Sequence, residues 1–212
     1  MAAIWLGFLL QAMPFFNTSA WGIIPRYTGN LKGILTAPFM HGGWSHILSN
    51  SAPMAVLCMM LFYFYRKIAW VSYILIHVLC GFAVWMFARG STVHIGASGV
   101  IYGLVAFIFW NGIFRKDLKS IILLLIVTIL YSGMLYGIVP NQPGISWESH
   151  LFGGLVGILV AYIMRGYDVK EHDDIEIETP KAISESDKED YFEKDIFDKA
   201  LREREVNKRN SD

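Results

Sequence analysis

Apolar residues along this chain gather into long unbroken runs, and the charged residues collect at the joints between them. Crossing roughly 30 Å of hydrocarbon takes about 20 apolar residues in a helix. Six segments qualify: about Ala2–Ala20, Trp44–Tyr65, Ile68–Ala88, Ile95–Phe114, Ser120–Val139 and about Trp147–Met164. The middle four hold no Asp, Glu, Lys or Arg, whereas the first contains Gln11 and Pro14. Met1–Pro25 is uncharged and lacks the basic region of a cleavable signal, so it is expected to form a first span.

The joints alternate in charge. Arg66 and Lys67, then Arg115, Lys116 and Lys119, then Arg165 and Lys170 mark three of them, while the opposite joints carry Arg26, Lys32 and Arg89. The positive-inside rule then predicts cytoplasmic termini, with the even-numbered spans running from outside to inside. Two outer segments are more than linkers. Trp21–Gly43 is long, amphipathic and rich in Gly and aromatics, and is expected partly in the membrane interface. Val139–Ser146 has two prolines and a glycine and is expected to be a flexible loop opening the sixth span.

Composition explains the zero net charge of the 212 residues. Residues 1–170 carry ten Lys/Arg and three acids, Asp117, Glu148 and Asp168, whereas residues 171–212 carry eight Lys/Arg and fifteen acids. Too few charges remain in 1–170 to clothe a soluble surface. The expected architecture is all-α and polytopic: a six-helix membrane domain over 1–170, and an acidic, partly disordered cytoplasmic tail over 171–212. The basic residues form no stripe for nucleic acid. Cys58 and Cys80, each inside an apolar run, read as small buried hydrophobes rather than a disulfide framework.

Polar side chains inside spans are costly and are functional candidates by default. They cluster near the outer ends of the even spans: His41, His46 and Asn50 in HGGWSHILSN, His94, Ser98 and Tyr102 in HIGASGVIYG, Glu148 and His150 in SWESHLFGG. At 1.5 Å per residue, Ser98 lies about 24 Å and His150 about 21 Å from the opposite end of its span, so the two are at matched depth. A serine and a histidine at one level, beside an amide and a second imidazole, are the parts of an acyl-transfer site. Ser98 is the nucleophile in this reading, left accessible by Gly96, Ala97 and Gly99, and His150 is the base and acid. Asn50, His46 and the Ser98 backbone N–H are donors to the oxyanion. Tyr102, at i+4 from Ser98, is placed to pack on the His150 ring.

Each element also has a plainer reading. The small residues around Ser98 can form a helix-packing face, His46 and Asn50 can be interhelical hydrogen-bond partners, and Tyr102 can be ordinary core. His77 reads as a structural polar contact and His94 as part of the loop before the site. Glu148 reads as a solvated or helix-N-terminal charge, which leaves a dyad without a carboxylate third member. The scarcity of acids leaves no paired aspartyl site, and no H-E-x-x-H occurs.

These three motifs, in this order on helices of one direction, resemble the rhomboid family of intramembrane serine proteases. The resemblance covers roughly residues 1–165. It implies six helices around a cavity open to the outer side, a Ser98/His150 dyad with His46 and Asn50 at the oxyanion, and Tyr102 against the catalytic imidazole. It also implies Gly153 and Gly157 pressed against the fourth helix, and a structural role for His41. The implied substrates are transmembrane proteins cut near the outer face, in a lipid bilayer, with no metal or cofactor. Where many bacterial members carry a Trp-Arg pair in the first loop, this chain has Lys32 and Gly33. Two rivals stand beside the protease: a non-catalytic binder of membrane-protein clients, and a small transporter or channel, the latter weakened by the absence of acids from the middle spans.

Overall fold

The computed structural model describes residues 1–90, 92–140, 146–167 and 202–204. Residues 1–169 form one unit and 170–212 another. The expected tail, 171–212, lies almost wholly outside the described residues, as do residues 141–145 of the second outer segment. The described chain is helical, with one isolated bridge between Ile23 and His94.

The α-helices described in residues 1–167 are α1 (Ala2–Gln11), α2 (Gly33–Thr36), α3 (Trp44–Phe64), α4 (Ala69–Phe87), α5 (Ser98–Arg115), α6 (Leu118–Tyr131) and α7 (Trp147–Met164). Helices α3, α4, α5 and α7, together with α6 and its 3₁₀ extension to Ile138, are long and apolar enough to cross a membrane. Apolar side chains such as Ile129, Leu130, Tyr63 and Trp70 are left exposed on these helices, which is tolerable against lipid but not against water.

Three boundaries differ from the periodicity reading, each for a local reason. The first helix stops at Gln11, short of the expected Ala20, because Pro14 offers no N–H and disfavours helix at Met13. A 3₁₀ turn over Thr18–Trp21 follows. Ten residues span about 15 Å, half the hydrocarbon thickness. The fourth span begins at Ser98 rather than Ile95, because Gly96 has φ +104°, outside the helical region. The fifth span keeps its length but tightens into 3₁₀ geometry over Ser132–Ile138.

Helix α5 is the centre of the bundle, with Leu104, Phe107 and Ile108 fully buried. Its contact with α7 is backbone to backbone. A methyl group added to Gly153 would sit 2.0 Å from the Gly99 carbonyl oxygen, and one on Gly157 would sit 2.1 Å from that of Gly103. Lipid tails are as apolar as leucine, so close packing of small residues, not water exclusion, holds such helices together.

The far end of α5 is closed by polar contacts. Arg115 donates from Nε to Asn111 Oδ1 (2.8 Å) and from an Nη to the Met164 carbonyl (3.0 Å). Asp117 caps α6 by accepting from the Ser120 backbone N–H (2.9 Å) and hydroxyl (2.7 Å). The segment Trp21–Gly43 is tied down without a Trp-Arg pair. Asn30 Nδ2 donates to the Gly22 carbonyl (2.9 Å), Arg26 Nη1 to that of Ala88 (2.7 Å), and Trp85 Nε1 to that of Tyr27 (3.3 Å). Lys32 lies 4.5 Å from the Trp21 ring centroid, and Gly33 is pressed against the Gly22 carbonyl. His77 makes the structural contact expected of it, Nε2 donating to the Leu35 carbonyl (2.9 Å).

Gly153 and Gly154 give a matched test, since a Cβ on Gly154 meets nothing within 4 Å. Gly153→Ala is expected to destabilise the protein by about 1–3 kcal/mol, by forcing α5 and α7 apart. Gly154→Ala is expected to be neutral or slightly stabilising. Thermal unfolding in detergent distinguishes the two, and equal melting temperatures would remove the backbone contact as the basis of the packing.

Candidate active site

A cavity of about 1170 Å³ opens among α3, α5, α7 and the segment before α5. His46, Asn50, Arg89, Ser98, Tyr102 and His150 all line it. Ser98 is the first residue of α5, so its backbone N–H, like the next two, has no carbonyl one turn earlier to bond. Orphan donors and the positive end of a helix dipole at Ser98, which lines the cavity, make an arrangement suited to negative charge.

The Ser98 hydroxyl and His150 Nε2 are 2.8 Å apart. On the other side of the ring, Nδ1 lies 2.9 Å from the Gly137 carbonyl oxygen. A carbonyl can only accept, so Nδ1 carries the proton and Nε2 presents its lone pair to the Ser98 O–H. The Tyr102 ring stacks on the imidazole at 4.1 Å with planes 7° apart, while its hydroxyl donates to the Met134 carbonyl. Gly137 admits no side chain here, since a Cβ would fall 2.1 Å from the Tyr102 hydroxyl oxygen.

Opposite, the Gly42 N–H donates to His46 Nδ1 (3.3 Å), which leaves the proton on Nε2. That Nε2 faces Gly96 closely enough that a Cβ there would be 2.5 Å away. Asn50 is 4% exposed, and its amide nitrogen has no hydrogen-bond partner. A buried unsatisfied donor is costly, and one at the edge of a cavity is suited to an arriving acceptor. Gly99 lies against Cys80 Sγ and the Ser149 carbonyl, where a side chain would clash.

The seven residues singled out from the sequence are thus brought together: Ser98, His150 and Tyr102 in direct contact, His46, Asn50 and Gly96 beside them, and Gly99 at the α5–α7 seam. His41 lies behind His46, ring centroids 4.9 Å apart and edge to face. Burial, reinforced by the neighbouring His46, holds its pKa down at about 4, so it is neutral.

Two expectations are borne out in part. Glu148 does lie in the first turn of α7, but it is not solvated: it is 3% exposed and paired with Arg89, whose second nitrogen is 3.2 Å from Oε2. His94 does lie in the segment before α5, but its ring also lines the cavity. It bonds Ser146 through Nδ1 and is 3.1 Å from the Thr92 hydroxyl through Nε2. Burial lowers its pKa despite the opposing Arg89 carbonyl and Glu148 carboxylate.

Sequence reasoning missed three contributors. Gln11, which looked like a flaw in an apolar run, clasps the backbone of His41: its Oε1 accepts from the His41 N–H (2.8 Å) and its Nε2 donates to the His41 carbonyl (3.0 Å). A polar residue without a motif, inside a span, was the available signal. The pairing of Arg89, read only as a joint charge, with Glu148, already among the polar candidates, was a second, although Glu148 is one of three acids in residues 1–170. The Gly137 carbonyl left no trace in the sequence.

A family model described as Rhomboid domain matches residues 28–167. An uncharacterized protein of Mycobacterium tuberculosis is 32% identical over 173 residues, covering 77% of this chain and 72% of that protein. One from Mycobacterium leprae is 31% identical, with 77% and 68% covered. Rhomboid-like protein 11, chloroplastic, of Arabidopsis thaliana is 27% identical over 154 residues, covering 61% of this chain and 51% of that protein.

The Gln11 clasp gives a prediction for the segment leading to His46. Gln11→Leu removes both backbone partners of buried His41 and should lower stability by about 1–3 kcal/mol. Hydrogen exchange at the His41 amide should speed up in detergent-solubilised protein. Unchanged exchange there would show that the clasp does not hold the segment.

Proposed function

The chain belongs to the rhomboid family and is an integral, multi-pass membrane protein, and on that premise we propose that it is an intramembrane serine endopeptidase. Its substrates are transmembrane proteins, cut near the outer face of the bilayer by a Ser98–His150 dyad. The observation that carries this reading is the 2.8 Å contact between the Ser98 hydroxyl and an imidazole whose other nitrogen must be protonated. That tautomer is the one able to take a proton from serine.

The steps follow from the geometry. Ser98 Oγ attacks the scissile carbonyl carbon as its proton passes to His150 Nε2. The charge left on the imidazolium is met by the Gly137 carbonyl at Nδ1 and by the face of Tyr102. Negative charge on the former carbonyl oxygen is met by Asn50 Nδ2, His46 Nε2–H and the orphan N–H of Ser98. His150 returns the proton to the leaving nitrogen, the C–N bond breaks, and an ester remains on Ser98. Water then attacks that ester with His150 again as base, releasing a carboxylate and restoring the hydroxyl. No step calls for a metal or an organic cofactor.

The finer architecture belongs to the same proposal: α1 completes a six-helix membrane domain over 1–170, and residues 171–212 form a charged cytoplasmic tail. The excess of Lys and Arg at one set of joints supports cytoplasmic termini in a bacterial inner membrane, with the cavity facing outward.

Cleavage of a model transmembrane substrate in liposomes tests the reading. Ser98→Ala and His150→Ala are each expected to lose at least about 10⁴-fold in rate, and Asn50→Ala about 10²–10³-fold. Gly137→Ala should also lose activity, by displacing Tyr102 or the ring. Wild-type protein that captures substrate but cuts no faster than Ser98→Ala would favour the non-catalytic binder.

A further inference from the structure

We propose that Arg89 and Glu148 form a positioning clamp that sets the rotation of α7, and so the aim of His150 at Ser98; the inference rests on the protease reading above. Glu148 is an acid held 3% exposed in the first turn of an apolar helix, where a carboxylate is costly unless its position matters. The Arg89 side chain, 55% exposed, reaches in from the segment after α4 and meets both carboxylate oxygens, Nε at Oε1 and an Nη at Oε2. Such a two-pronged pair fixes direction as well as distance.

The placement is what makes this pair a clamp. The segment after Arg89 runs directly into Ser98, and Glu148 lies two residues before His150. At about 100° per residue, Glu148 and His150 project from nearly opposite sides of α7. Pinning Glu148 on one side and seating His150 between Tyr102 and Gly137 on the other leaves the helix no freedom to turn. The same segment holds the helix start again through His94, which bonds Ser146, and Ser146 in turn lies 2.6 Å from the Ser149 hydroxyl. With its hydroxyl so engaged, Ser146 does not cap the α7 N–H groups. Glu148 supplies the negative charge that this helix start favours. Trp147 lies beside the pair, its ring centroid 5.9 Å from the Arg89 guanidinium carbon.

The test uses the full chain in liposomes with the same model substrate, reading kcat and KM separately. Arg89→Gln and Glu148→Gln should each lower kcat by about 10- to 100-fold, as expected for a displacement of about 1 Å at the reacting atoms, with KM changed less than about twofold. The double variant Arg89→Gln/Glu148→Gln, which replaces the ion pair with two amides, should recover kcat to within about tenfold of wild type. Arg89→Lys keeps the charge but loses the fork, and should fall between wild type and Arg89→Gln. Should Glu148→Gln fail to fold, Arg89→Lys against Arg89→Gln decides. Wild-type kcat in Arg89→Gln, a double variant no better than the worse single one, or a rise in KM with kcat unchanged would each overturn the clamp. Those results require an active wild type. A wild type that neither cuts nor labels at Ser98 with a fluorophosphonate overturns the protease reading itself.

Discussion

The structure depends on how closely α5 and α7 approach. Gly153 and Gly157 lie against the Gly99 and Gly103 carbonyls, leaving no room for a Cβ between the helices. In lipid this contact cannot draw on water exclusion, so its strength comes from van der Waals contact along two backbones. The same approach places the first residue of α5 opposite the first turn of α7. The 2.8 Å separation of Ser98 and His150 follows from the packing, because a wider seam would move the two apart by the diameter of a methyl group.

A second constraint is the need of every polar atom in an apolar bundle for a partner. His150 finds a carbonyl from the 3₁₀ turn that extends α6, and that choice dictates its tautomer. His46 finds an N–H from the segment before α3, and that dictates the opposite tautomer. Two imidazoles in one cavity thus come to differ in tautomer through backbone groups alone, His150 with a bare Nε2 and His46 with a protonated one. Among the described residues the exceptions are both ring nitrogens of His41, the Ser72 hydroxyl and the Asn50 amide nitrogen, of which Asn50 lines the same cavity.

Segments that looked like connections serve the same end. The stretch from Trp21 to Gly43 is bonded to α4 through Trp85 and to the residues before α5 through the backbones of His94 and Gly96, while Gln11 reaches from α1 to the backbone of His41. These ties hold the residues on either side of the cavity mouth.

The five long apolar helices and the three polar clusters were legible in the sequence because each reflects a local rule: hydrocarbon thickness sets run length, and the cost of burying polar groups makes His46, Asn50, Ser98 and His150 conspicuous. Their shared depth was legible too, because helical rise is constant. Helix ends were less so, since the break at Gly96 is a single dihedral angle and the end of α1 depends on the chain around Pro14. What the tertiary structure alone decided is which atoms meet. The Gly137 carbonyl at His150, the Arg89–Glu148 pair and the Gln11 clasp join residues 13, 59 and 30 positions apart. No periodicity encodes such partnerships, because they arise only when helix packing brings distant backbone and side chains within hydrogen-bonding reach.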